Sequence, residues 1–270
     1  MSTPARGGID LLHARVAFRD RPLSDVLDLA LRFLVVHGRA YGLVALGTIV
    51  PMLALSLVAG LLIGWRTAWV VAIPLALVAE IPFTVLASRL VFEERVSARD
   101  VLVTGLREAP RVFFVRVLSA VLFVMGLAML IVPGFWLATI FLFQSEVLLL
   151  ERASIGQAFG RAQRVASSAT SDVFVGVLSL ALVLVVGVLL ADIAGRAVIG
   201  ELLQFRPPRP LTSAGGGVLA IAGLFALLPY LATARFFLYL NVRTRAEGWD
   251  IQTRFAAIAA REAEQAKEAA

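Results

Sequence analysis

The sequence predicts an all-α, polytopic membrane protein: six transmembrane helices forming three hairpins, each preceded by an amphipathic helix lying at the cytoplasmic face. Three observations predict it. Hydrophobic residues make up 60% of the 270 positions and the mean hydropathy is +0.88, which leaves too little polar surface to cover a soluble globule of this size. Six apolar runs are each long enough to cross a hydrocarbon core of about 30 Å at about 1.5 Å per residue. Before every second run stands a shorter segment of mixed character, beginning at Ser24, Ser97 and Ser154.

Composition also removes whole classes of chemistry. The chain has no Cys, so disulfides and thiolate metal sites are excluded, and with only His13 and His37 a histidine-rich metal site is not expected. No cofactor is implied. The net charge of +6 is carried almost wholly by Arg, and in a multispanning chain such charge belongs in cytoplasmic loops rather than on nucleic acid. The polar, Arg-bearing first residues have no apolar core and no cleavage site after them, so no signal peptide is expected.

Residues 1–22 are expected to form a flexible cytoplasmic tail. From Ser24, a plausible N-cap, Asp25, Asp28 and Arg32 make a polar stripe against Leu27, Leu31 and Leu34. That segment is too short and too striped to span, so it is expected to lie in the interface plane. The first span runs from Tyr41 to Ile63 and the second from Thr67 to Phe92, separated by Gly64-Trp65-Arg66. Pro51, Pro74 and Pro82 fall inside them and should bend them, each freeing a carbonyl that a neighbour must satisfy. Ser97 to Glu108 is a second amphipathic segment, with Asp100, Thr104 and Arg107 opposite Val101, Leu102 and Leu106, and Pro110 is expected to end it.

The central hairpin is the clearest unit. Val112 to Val132 is apolar, Pro133-Gly134 reads as its turn, Phe135 to Leu150 is apolar again, and Glu151-Arg152 stops the run. A third amphipathic segment follows from Ser154 to Val165, with Gln157, Arg161 and Arg164 on one face and Phe159, Ala162 and Val165 on the other. The fifth span is expected at Val173 to Ile193, an irregular loop rich in Pro and Gly at Gly195 to Gly217, and the sixth span at Val218 to Leu240. A last helix, with Ile251, Phe255 and Ile258 in a stripe, is expected within a cytoplasmic region at 251–270.

Two patterns organise these elements. The segment Asp25 to Arg32 matches Asp100 to Arg107 at five of eight positions, and Gln157, Arg161 and Arg164 repeat the polar register of Asp100, Thr104 and Arg107. A helix-hairpin unit used three times, about 24–92, 97–150 and 154–240 within a membrane domain at 23–250, explains that better than three unrelated helices. Eighteen Lys or Arg fall in the segments 1–40, 92–111, 151–171 and 241–270, against four in the opposite loops. The basic bias predicts both termini in the cytoplasm.

The order of features resembles a bacterial family, the glycerophosphoryl diester phosphodiesterase membrane domain and related multispanning proteins. The resemblance is carried by Pro133-Gly134, Phe143 to Leu150, Glu151-Arg152-Ala153-Ser154 leading to Ala158 and Arg161, and Tyr239 to Arg243 leading to Glu247-Gly248-Trp249-Asp250. It implies a fold and a place in the bacterial cytoplasmic (inner) membrane. It implies no activity, since nothing in the chain corresponds to the catalytic domain that gives the family its name.

Of the charges inside the predicted spans, four lie well away from the loop margins. Glu80 stands near mid-membrane, where an ionised carboxylate costs at least about 2 to 3.5 kcal/mol unless paired, protonated or wetted. It reads either as a proton or substrate site or as a neutral carboxyl bonded to a carbonyl freed by proline, with no basic residue clearly at its depth. Arg116, Glu146 and Arg235 lie five or six residues inside the cytoplasmic edge and either share one plane or snorkel to the headgroups. Asp192 reads as a solvated helix end. On the surface Arg99, Arg107, Arg111, Arg161 and Arg164 are candidate contacts to anionic headgroups or a partner. Paired catalytic carboxylates or a Ser-His pair are not found. The expected function is that of a non-enzymatic scaffold, accessory or lipid-contacting protein. The alternative is a permease-like transport subunit whose cytoplasmic helices dock an ATPase.

Overall fold

The computed structural model describes residues 22–93, 96–151, 153–213 and 216–246. The expected tail before them and the helix expected after Asp250 lie outside the described residues. Ten α-helices are seen there: α1 (Leu23–Val36), α2 (Gly38–Leu62), α3 (Trp65–Ala79), α4 (Ile81–Phe92), α5 (Ala98–Met129), α6 (Ile131–Phe141), α7 (Gln144–Glu151), α8 (Ile155–Ser167), α9 (Thr170–Ala197) and α10 (Val218–Ala246). Six continuous or once-broken helices are long and apolar enough to cross a membrane: α2, α3–α4, α5, α6–α7, α9 with a π-helical turn to Leu202, and α10. Their outward faces carry Leu46, Val58, Val70, Val124, Leu182 and Val185, all exposed. A continuous apolar exterior of this kind is stable only against lipid. The protein is a multi-pass membrane protein.

Each span contacts its successor: α2 meets α3, α5 meets α6, and α9 meets α10. The chain turns at one end through Gly64, Leu130 and residues 203–213 and 216–217, here the loop end, and carries α1 and α8 at the other, the helix end. Gly64 has φ +137°, a conformation that favours glycine. Two helices make the centre. Ile81 to Ala87 of α4 and Phe236 to Thr244 of α10 are buried on every side, whereas α2 buries only a stripe at Tyr41, Val44, Thr48, Ser56 and Gly60. All-round burial means that other helices, not lipid, surround these stretches.

The structure corrects several expectations. The central turn is at Leu130, which is extended at φ −165° and ψ 154°, and Pro133-Gly134 belong to the first turn of α6. Proline is tolerated there because a first-turn N–H has no intrahelical acceptor to lose. Pro110 does not end the second amphipathic segment, and α5 runs through it unbroken from Ala98 to Met129. Pro51 and Pro74 likewise lie within intact helices. Only Pro82 accompanies a break, at Glu80 between α3 and α4. The fifth span continues nine residues past Ile193 to Leu202, shortening the irregular loop.

The short helices also differ from expectation. Pro22, not Ser24, precedes α1, and the Ser24 hydroxyl donates to Asp25 instead of capping. The buried face of α1 is Val26, Ala30 and Phe33, while Leu31 is exposed. This face packs on α10, where Phe33 meets Phe237 edge-on at 5.1 Å. By contrast α8 begins with a complete capping box, in which Gln157 N donates to Ser154 Oγ (3.4 Å) and Ser154 N donates to Gln157 Oε1 (3.2 Å). It buries Ala158, Ala162 and Val165 against α6 and α7, the elements before it, and exposes Gln157 and Arg164.

Candidate functional site: a buried ion cluster

The break between α3 and α4 builds the site. Pro82 has no N–H to return to the preceding turn, and the regular α-helix is interrupted at Glu80, whose backbone keeps helical angles (φ −71°, ψ −27°). The Leu77 carbonyl then accepts from Arg116 Nη1 at 2.5 Å. That carbonyl is one residue before Val78, whose carbonyl is the one Pro82 leaves without its i+4 donor, so the contact is not to the freed group itself. α5 comes close enough for this contact because Gly105 packs on Pro82, where an added Cβ would stand 2.7 Å from Cγ and 3.2 Å from Cα.

Glu80 is the hub. Its Oε2 lies 2.9 Å from Arg116 Nη1 and its Oε1 lies 2.9 Å from Arg235 Nη1. Arg235 reaches further to Glu146, whose Oε1 is 2.5 Å from Arg235 Nε. Arg116 Nε donates to Ser145 Oγ at 2.9 Å. The second broken helix contributes these last partners, because the interruption at Leu142-Phe143 starts α7 at Gln144 and brings Gln144, Ser145 and Glu146 into the interior together. Two carboxylates and two guanidiniums cancel, which is the condition for keeping such groups in a medium of low dielectric.

The structure therefore unites all four intramembrane candidates, and it corrects the placing of Glu80 apart from the basic residues. Depth explains the error. From the loop-end start or finish of their spans, Glu80 is 15 residues from Trp65, Arg116 is 13 from Met129, Glu146 is 15 from Ile131 and Arg235 is 17 from Val218. At about 1.5 Å per residue these are nearly one plane. Counted from helix-end boundaries guessed from the first charged residue, they scatter, because α5 and α10 extend well past those guesses.

Five side-chain atoms of this region are buried without a partner: Thr84 Oγ1, Arg116 Nη2, Gln144 Nε2, Glu146 Oε2 and Arg235 Nη2. Donors and acceptors are both among them, so the cluster retains capacity to bind or relay beyond its own four charges.

A second knot lies toward the helix end, and sequence reasoning missed it. Glu151 Oε1 accepts from Tyr239 OH at 2.6 Å and lies 3.0 Å from Arg243 Nη1, and Glu151 also pairs with Arg161 of α8. Arg235, Tyr239 and Arg243 recur every four residues, a stripe on one face of α10 that was available as a signal. Together the two knots run a polar seam along α7 and α10 from the middle of the bundle to α8.

The remaining candidates separate. Arg99, Arg107 and Arg164 are exposed. Arg161 is engaged with Glu151, and Arg111 donates to Ala153 O and lies 3.9 Å from Glu108. Asp192 is corrected: it is 5% exposed, and its Oδ2 accepts from Leu211 N at 3.1 Å, fastening the loop of residues 203–213 to α9. Among the described residues no group of three or more His, Asp or Glu converges on a position for a metal ion.

No family model matches the sequence, no curated protein matches it, and no solved structure matches the fold.

Proposed function

We propose that this is a non-enzymatic protein of the bacterial cytoplasmic membrane, with both termini in the cytoplasm, acting as a scaffold, accessory or lipid-contacting component. The observation that carries the reading is the mutual commitment of the four buried charges, which ties α3–α4, α5, α7 and α10 into one unit. A site used for chemistry would keep an acid, base or nucleophile aimed at open space. Here the strongest groups face each other. The exposed Arg99 and Arg164 at the helix end, the end with most of the basic residues, support its placement against anionic headgroups, where each is worth about 1 kcal/mol. The resemblance to the membrane domain described above agrees with this reading and adds no activity to it.

The test is thermal stability in lipid nanodiscs of phosphatidylglycerol against phosphatidylcholine. The expected result is a higher Tm in phosphatidylglycerol, reduced by salt and by Arg99→Gln with Arg164→Gln. Equal melting in both lipids would overturn the headgroup reading.

A specific observation favours a second reading, a transport subunit. Two spans break at the depth of the cluster, as discontinuous helices do around the midplane sites of transporters, and five buried atoms there lack partners. Proteoliposomes carrying a pH-sensitive dye separate the readings: proton flux that Glu80→Gln abolishes would replace the scaffold with a transporter.

A further inference from the structure

Near the helix end, α4, α5 and α7 enclose a pocket of about 530 Å³, within the range of small-molecule sites. Its polar lining is Ser88, Arg89, Glu93, Thr104, Arg107 and Glu108. We propose that this pocket binds a zwitterion carrying a phosphate and an ammonium group, the phosphoethanolamine class, with the phosphate on Arg89 and Arg107 and the ammonium on Glu93 and Glu108.

The charges decide the ligand. Neither Arg89, Arg107 nor Glu93 makes an ion pair among the described residues, although all three line one pocket. Glu108 is held only loosely, at 3.9 Å from Arg111. Arg89 is set in place by a neutral partner, donating from Nη2 to Thr104 Oγ1 at 2.9 Å, while that hydroxyl donates to Asp100 O at 2.7 Å. Its remaining N–H groups keep the fork that suits phosphate oxygens. Positive and negative groups that share a pocket yet stay apart match a ligand with both signs at a separation. A purely anionic headgroup would meet two carboxylates as well as two guanidiniums, and repulsion of that kind is how a site rejects the wrong partner.

Position supports a lipid as the source of this chemistry. Arg89 is three residues before the end of α4 at Phe92 and Leu148 three before the end of α7 at Glu151, about 5 Å inside the helix ends and so at headgroup level. Val85, Val103, Leu148 and Leu149 supply apolar walls for the glycerol and first methylenes of a chain. For its lipid source the proposal rests on the lipid-contacting reading; the pocket chemistry stands without it.

Native mass spectrometry of the full protein in detergent tests it, with phosphatidylethanolamine, phosphatidylglycerol and soluble glycerophosphoethanolamine as probes. The expected result is one phosphatidylethanolamine adduct that survives activation sufficient to strip phosphatidylglycerol. Glu93→Gln and Arg107→Gln, both at exposed side chains and therefore no threat to folding, should each weaken it about tenfold, the scale of one charge-assisted hydrogen bond. Glycerophosphoethanolamine binding as tightly as the lipid would support the zwitterion and assign a soluble source, and failure to compete would support the lipid. Equal retention of both lipids, or unchanged binding in both variants, overturns the proposal. Neither variant touches Arg99 or Arg164, and no bilayer is present, so the outcome is independent of the nanodisc experiment.

Discussion

Glu80 and Arg235 stand 155 positions apart in the chain, yet their Oε1 and Nη1 atoms are 2.9 Å apart in the interior. The same carboxylate holds Arg116 through its other oxygen. One acid thus separates two cations, and Glu146 touches only one of them.

That asymmetry orders the effects of neutralisation. Glu80→Gln leaves Arg116 and Arg235 facing each other with one carboxylate between two charges, whereas Glu146→Gln leaves Arg235 still paired with Glu80. Removing one partner of a buried pair costs about 3 to 5 kcal/mol, while replacing the pair by apolar groups can be close to neutral. Melting in detergent is expected to fall furthest for Glu80→Gln, less for Glu146→Gln, and to recover in part when Glu80→Gln is combined with Arg116→Met. Additive losses in that double-mutant cycle would show that the pair is not energetically coupled.

The sequence makes the membrane class and the six spans legible because hydropathy is a sum over about twenty residues and tolerates local exceptions. Details decided by tertiary contacts are less visible. Proline is a case in point: Pro51, Pro74 and Pro110 leave their helices intact and Pro82 does not, although all four remove the same backbone donor. The difference lies in what surrounds each one, and for Pro82 that includes a guanidinium on a carbonyl of the preceding turn. The four charges of the cluster are visible in the sequence as residues out of place in apolar runs, but their meeting is not. Depth along a span has to be measured from a fixed end, and α5 and α10 extend past the helix-end boundaries that the first charged residues suggest. Of the charged residues in the pocket only Arg107 is legible in advance, as a candidate headgroup contact; Arg89, Glu93 and Glu108 read as ordinary polar margins of two helices.

Gly105 sets the distance between α5 and the broken helix. A methyl group there would contact Pro82 at both Cγ and the backbone Cα, at 2.7 and 3.2 Å, so the obstacle cannot be removed by a side-chain rotation alone. Gly105→Ala is expected to lower stability by about 1 to 3 kcal/mol through overpacking, despite the higher helix propensity of Ala. Because the helix shift also withdraws Arg116 from Glu80, the loss from Gly105→Ala should shrink in a Glu80→Gln/Arg116→Met background. A Tm equal to or above that of the native sequence would show that the contact is not limiting.

The orientation of the bundle rests on charge, and it can be tested with a single reporter. Ser213 belongs to the loop of residues 203–213, and with its neighbours Leu211 and Thr212 it lines an open cavity of about 730 Å³ beside Trp65 and Trp69. The proposed topology puts this loop on the far side of the membrane from α1 and α8. The opposite end carries the bulk of the arginines, which are retained on the cytoplasmic side during insertion. The natural chain has no Cys, so Ser213→Cys introduces one thiol and no background. A membrane-impermeant maleimide added to intact cells is expected to label it, while Ser167→Cys, at the exposed end of α8, should react only after the cells are opened. The reverse pattern would invert the topology and move the headgroup pocket to the outer leaflet, leaving the internal geometry of the cluster as it is.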